Sequence, residues 1–120
     1  MVEKKDFLEL ESGIIEAFKY LNAAISFFDE NFVVKYVNEA GALSYSNMGF
    51  KEVVGSKIHD IHSKKTIELL EKLYDSFEKK ELNSKKTTML LEDRSKNIVH
   101  LPVYDEDEIF RGCMEIKFYS

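Results

Sequence analysis

The sequence predicts a single α+β domain, and three observations carry that expectation. Apolar residues recur at helical spacing in two stretches, near residues 3–22 and 64–80. Two β-rich runs flank Asp29-Glu30-Asn31, as in a hairpin. Over the last third, from about residue 86 to 119, apolar and polar residues alternate with the period of a strand.

In the first stretch, Phe7, Leu10, Ile14, Ala17 and Leu21 fall at a/d heptad spacing, and Leu8, Ile15 and Phe18 widen the stripe. An amphipathic helix over residues 3–22 follows, packed on its own domain, on a second copy, or on both. Gly13 weakens it by about 1 kcal/mol relative to alanine. Ala24 to Phe28 and Phe32 to Val37 make the hairpin. Asn38 is placed to cap a short helix through Leu43, and an irregular stretch runs on to Gly55. Residues 56–62 form a connector with apolar Ile58 and Ile61.

Ser63 is placed to cap the strongest helix, about residues 64–80. Its stripe is Ile67, Leu70, Tyr74 and Phe77, with Leu69 and Leu73 alongside. Glu68 and Lys72 form a favourably oriented i,i+4 pair. Three strands follow, near residues 86–92, 97–104 and 112–119. Val99, Leu101 and Val103 share one face of the second. Met114, Ile116 and Phe118 share one face of the third, with Glu115 and Lys117 on the other. This is the alternation of an antiparallel sheet with one wet face.

Composition narrows the function. The chain has 120 residues, 44% of them hydrophobic, enough for one core. Its formal charge is -5, a poor match to nucleic acid or to an anionic membrane face. No apolar run approaches the roughly 20 residues that cross a bilayer, and no signal-peptide block follows the N-terminal Met-Val-Glu-Lys-Lys-Asp. The lone cysteine, Cys113, has no internal disulfide partner. The expected setting is the cytoplasm. Nucleophile elbow, phosphate-binding glycine loop and zinc-protease pattern are all missing, so an enzyme is not expected.

The element order, with three quoted segments, resembles a PAS domain. Ala24 to Asn38 (AISFFDENFVVKYVN) is similar to the opening PAS hairpin. Val54-Gly55-Ser56-Lys57-Ile58 is similar to the step before the long PAS helix, and Val103 to Ile116 resembles the closing hairpin. The resemblance covers roughly residues 22–120 and implies a five-stranded antiparallel sheet, helices on one face, and a pocket between them. It divides the chain into a dimerisation helix (1–22) and a sensory domain (23–120).

Ile58 to Thr66 (IHDIHSKKT) further resembles a His-containing segment of one PAS subfamily, found beside hemerythrin-like domains or fused to DNA-binding domains. That subfamily includes haem-containing, carbon-monoxide-responsive transcription regulators. The resemblance implies haem b, with His62 as proximal ligand and Met89 as the opposite ligand. Ser63 stands where the family segment has proline, and no DNA-binding half is present in these 120 residues.

Each candidate has a plainer role beside the chemical one. His62 either ligates iron or caps and packs the helix start, and Met89 is either a soft ligand or core filling. His59 and His62 lack a clear third ligand for zinc or nickel. His100 is expected at the surface or in a cross-strand pair, and Cys113 as a buried inert thiol. Three functions follow: a haem sensor of CO, NO or O2, a sensor of a small organic ligand, or a ligand-free dimerisation scaffold. The expected pocket lining is Ile58, Ile61, Leu70, Leu90, Leu101, Met114 and Ile116. The expected partners are a second copy, through the N-terminal helix and the sheet, and an output domain or protein outside this chain.

Overall fold

In the computed structural model, which describes residues 22–120, the element order follows the sequence closely. Strands β1 (Ala24–Asp29) and β2 (Val34–Val37) precede helix α1 (Glu39–Asn47). A 3-10 turn (Ile58–Asp60) leads into helix α2 (Lys64–Glu78), followed by β3 (Lys85–Leu90), β4 (Ser95–Tyr104) and β5 (Phe110–Tyr119). The expected N-terminal helix and the domain boundary it sets fall on residues outside those described.

The strands form one antiparallel five-stranded sheet in the order β2-β1-β5-β4-β3. The first and last strands thus meet at its centre, where Phe28 pairs with Cys113 and Asp29 with Gly112. Gly112 has φ +137°, and a Cβ there would lie 2.0 Å from the Phe28 carbonyl oxygen. Only glycine permits this approach.

Local side chains make the turns the sequence signals. Asp29 Oδ1 accepts from the Asn31 and Val33 amides at 2.8 and 3.0 Å. Asn38 caps α1, its Oδ1 accepting from Gly41 N at 2.8 Å. The same oxygen accepts from Ile25 N at 2.9 Å, while Nδ2 donates to Ala23 O at 2.7 Å. One side chain therefore ends β2, starts α1 and ties both to β1. Ser63 Oγ accepts from Thr66 N at 3.3 Å and caps α2. Tyr74 donates to Asp29 O at 2.8 Å and Tyr104 to Phe77 O at 2.6 Å, fastening α2 to both hairpins.

The apolar stripe of α2 (Ile67, Leu70, Leu73, Tyr74 and Phe77) is buried with Phe28, Val34, Val53, Ile58, Ile61 and Cys113. Each large side chain so buried contributes roughly 1.5–3 kcal/mol. Helix α1 runs to Asn47, past the expected Leu43. The β3–β4 turn sits earlier than expected, closed by Leu91 N donating to Arg94 O at 2.8 Å.

The sheet corrects one expectation. Cys113 is in the core under the helices, so by alternation Glu115 and Lys117 also face the helices. Met114, Ile116 and Phe118 face away, as do Leu101 and Val99, their partners in β4. The face that reads as wet is the roofed one. Period-two alternation groups residues by face and carries no information about which face a helix will cover.

Candidate functional site

Between the sheet and the two helices lies a cavity of about 310 Å³. Its floor is built in cross-strand rows. Ser26, Glu115 and His100 form one row, and Ala24, Lys117, Ile98 and Thr87 the next. Lys96 and Met89 form the third. The roof comes from Ser44 and Tyr45 of α1 and Met48 that ends it, from Thr66, Leu69 and Leu70 of α2, and from His62 just before α2.

His62 Nδ1 lies 3.0 Å from the Ile58 carbonyl. A carbonyl only accepts, so Nδ1 carries a proton, and in the neutral ring Nε2 keeps its lone pair. Nε2 faces the Tyr45 hydroxyl at 3.5 Å. The ring stands edge-on to Phe28 and Tyr45, at centroid distances of 6.2 and 5.9 Å. Tyr45 is buried beside Glu115, and both burial and that charge push its hydroxyl pKa well above the ordinary value.

Glu115 and His100 form a buried cross-strand pair, Nε2 donating to Oε2 at 3.0 Å, with side-chain exposures of 17% and 7%. Burial alone would raise the Glu115 pKa. The hydrogen bond from His100, with the charges of His100, His62 and Lys117, overcomes it and holds the carboxyl below its usual value. Among the described residues, the Nδ1 of His100 is buried without a hydrogen-bond partner. Lys117 spans the cavity from floor to roof and donates to Ser44 Oγ. Burial, then repulsion from Lys96, lowers its pKa.

The expected site residues divide. His62, Leu70 and Met89 line the cavity. Ile58 and Ile61 are core residues off its wall, and Leu90 is 85% exposed. Leu101, Met114 and Ile116 are on the opposite sheet face, for the reason given above. His100 is cross-strand, as expected, and buried rather than superficial. His59 points away from His62, pairing at the surface with Glu71 at 3.3 Å. Among the described residues no three or more His, Cys, Asp or Glu side chains converge as a metal centre. The Cys113 thiol is buried, and burial followed by the Glu115 charge pushes its pKa up to about 12. Sequence reasoning missed Ser26, Tyr45, Lys96, Glu115 and Lys117. The available signal was Ser26, a polar residue inside the apolar Ala24–Phe28 run, in register with Glu115 and His100.

The residues present do not fit a haem. His62 Nε2 does face the cavity, as an axial ligand must. The floor within electrostatic reach of that imidazole is an ionised carboxylate and its histidine, with two lysines beyond. A porphyrin requires a broad apolar slot, and this cavity is at the lower end of the roughly 300–1,000 Å³ range of ligand pockets. Met89 is 48% exposed on the edge strand β3.

Comparison with known proteins bears on the whole unit. A family model described as PAS domain matches residues 17–118. The PAS domain of a protein from Colwellia psychrerythraea superposes with a TM-score of 0.68 at 18% identity, covering 91% of this chain and 95% of that one. A sensory box sensor histidine kinase from Vibrio cholerae gives 0.66 at 16% identity, with 99% and 98% covered. The Aer2 receptor of Vibrio cholerae, a dual PAS-haem oxygen sensor, gives 0.55 at 16% identity, with 81% and 93% covered. At these identities the likeness is one of fold. No curated protein matches the sequence.

Proposed function

Because the chain belongs to the PAS domain family, a family of sensory modules that are in general not catalytic, we propose that it senses a small polar organic molecule held between the sheet and the helices. The observation that carries this reading is His100. His100 lines the cavity, its buried Nδ1 has no hydrogen-bond partner among the described residues, and leaving such a group unpaired costs about 1–3 kcal/mol. A ligand that supplies the missing hydrogen bond removes that cost. Lys117, Glu115 and His62 fix the ligand's orientation, and Leu69, Leu70 and Met48 cover its apolar part.

Strand β5 supplies a route for the signal. Glu115 and Lys117 touch the cavity, while Met114, Ile116 and Phe118 alternate with them on the far face. That far face continues through Leu101, Val99 and Phe27. A second copy, joined through this face and the heptad-patterned residues 1–22, is the proposed first receiver. The output protein lies beyond it. Leu101→Lys is expected to convert a dimer to a monomer in light scattering, and a wild-type monomer would refute this route.

The experiment on the site is a thermal-shift and native mass-spectrometry screen of small metabolites. Compounds that bind should lose binding when Thr66→Phe fills the cavity. Binding unchanged in that variant would place the ligand elsewhere. The other reading, haem b on His62 and Met89 as a sensor of CO, NO or O2, has the charged cavity floor and the half-exposed Met89 against it. It draws on the likeness to the Aer2 receptor and on the orientation of His62. Reconstitution with haem distinguishes the two: a CO-sensitive Soret band lost in His62→Ala would favour the haem reading over the organic ligand.

A further inference from the structure

The charge inside the cavity is opposite to that of the chain. The whole sequence carries a net -5, yet two lysines face one glutamate on the cavity wall. Glu115 is already partnered by His100. Lys96 and Lys117 stand in adjacent cross-strand rows close enough to repel one another, and among the described residues neither has a carboxylate at ion-pair distance. A half-buried amine in this position favours an arriving anion, because low dielectric strengthens the attraction and expelled water is replaced by a charge.

His100 adds a second requirement. The Glu115 carboxylate only accepts, so His100 Nε2–H is committed to it. In the neutral ring the lone pair then lies on Nδ1, and its partner must be a donor. His100 and Lys117 are diagonal neighbours across β4 and β5, roughly 7–8 Å apart at their backbones. A carboxylate on the lysines and a hydroxyl on His100 span such a gap within one small molecule. Ser26, Thr66 and Thr87 offer further hydroxyls along the wall.

We propose that the ligand is a small hydroxycarboxylate, its carboxylate held by Lys117 and Lys96 and its hydroxyl donating to His100 Nδ1. This rests on the cavity being the sensory site and names the class of molecule it receives. Leu69, Leu70 and Met48 cover the ligand's carbon skeleton.

The test is calorimetric titration of the full chain at neutral pH with matched pairs of probes: lactate and propionate, malate and succinate, citrate and tricarballylate. Within at least one pair the hydroxylated acid should bind with a Kd in the millimolar range or below. Its partner without the hydroxyl should be weaker by about tenfold or more, the loss expected when a buried acceptor is left unpaired. Lys117→Met should weaken the hydroxylated acid by a similar factor. The comparison within each pair uses wild-type protein, so it stands even if the variant folds poorly. Equal affinity within every pair, absence of any binding, or full affinity in Lys117→Met would overturn the proposal. Neutral or cationic compounds that bind wild type and fail in Thr66→Phe would overturn it while leaving the cavity as the sensory site. If no compound of any charge binds, both fail.

Discussion

His100 donates its Nε2–H to Glu115 at 3.0 Å across the two strands β4 and β5, beneath the helices. The pair lies on the floor of the cavity, and it makes stability depend on pH. Glu115 has a folded-state pKa below its ordinary value near 4.5. A carboxyl so depressed contributes stability that is present above the unfolded value and lost as pH falls through the folded one. The melting temperature of wild type should therefore fall below about pH 4.5, and Glu115→Gln should flatten that part of the curve. Parallel curves for the two proteins between pH 3 and 7 would refute the assignment.

His100→Ala removes the donor and leaves the Glu115 carboxylate buried. The expected loss is about 3 kcal/mol, that of a buried charged acceptor left without its hydrogen bond. Urea denaturation measures it. A change smaller than that of an exposed pair, below about 1 kcal/mol, would mean that water reaches Glu115 freely.

Asn38 accepts from Gly41 N and Ile25 N and donates to Ala23 O. Asn38→Asp keeps the acceptor and loses the donor, whereas Asn38→Ala loses both. Alanine should cost about 2 kcal/mol or more, since it removes a cap and uncovers buried backbone donors. Aspartate should fall between alanine and wild type. Equal stability of all three would show that the cap does not join α1 to β1.

Gly112→Ala should be the most damaging alanine substitution among the described glycines. The added carbon meets the Phe28 carbonyl at 2.0 Å where β1 crosses β5. Gly49 also has positive φ, at +97°, but a Cβ there meets nothing within 4 Å. Gly49→Ala should cost only the backbone strain of about 1–2 kcal/mol. Circular dichroism melts of the two variants compare strain alone with strain plus collision, and a similar loss in both would disprove the close approach.

The Cys113 thiol, pushed up to about 12 by burial, should be almost entirely protonated at pH 8. Iodoacetamide should label native protein far more slowly than urea-denatured protein, as mass spectrometry reads directly. Rapid native labelling would show that the β5 centre opens to solvent.

Much of the fold was legible in particular residues. Asp29 and Asn31 mark the first turn, Asn38 and Ser63 cap the helices they precede, and the α2 stripe buries the residues its spacing names. These are local signals, set by hydrogen bonds and periodicities within a few residues. His62 was singled out by the resemblance of the Ile58–Thr66 segment to a family motif, since its place before a capped helix is equally that of a capping or packing residue, and it lines the cavity. Leu101, Met114 and Ile116 were misplaced because they are the apolar members of alternating strands, and apolar residues are ordinarily the roofed ones.

The sequence by itself determined the order of elements, the caps and turns, the core stripe of α2, and which strand residues share a face. Only the tertiary structure decided that the helices roof the face carrying Ser26, Glu115, Lys117 and His100. Two faces of an alternating strand are related by a one-residue step, and the choice between them depends on long-range pairing, here the meeting of β1 with β5 through Gly112. The β4–β5 register puts Glu115 beside His100, the β1–β5 pairing adds Ser26 to that row, and together they turn residues that look solvated along the chain into the floor of a cavity.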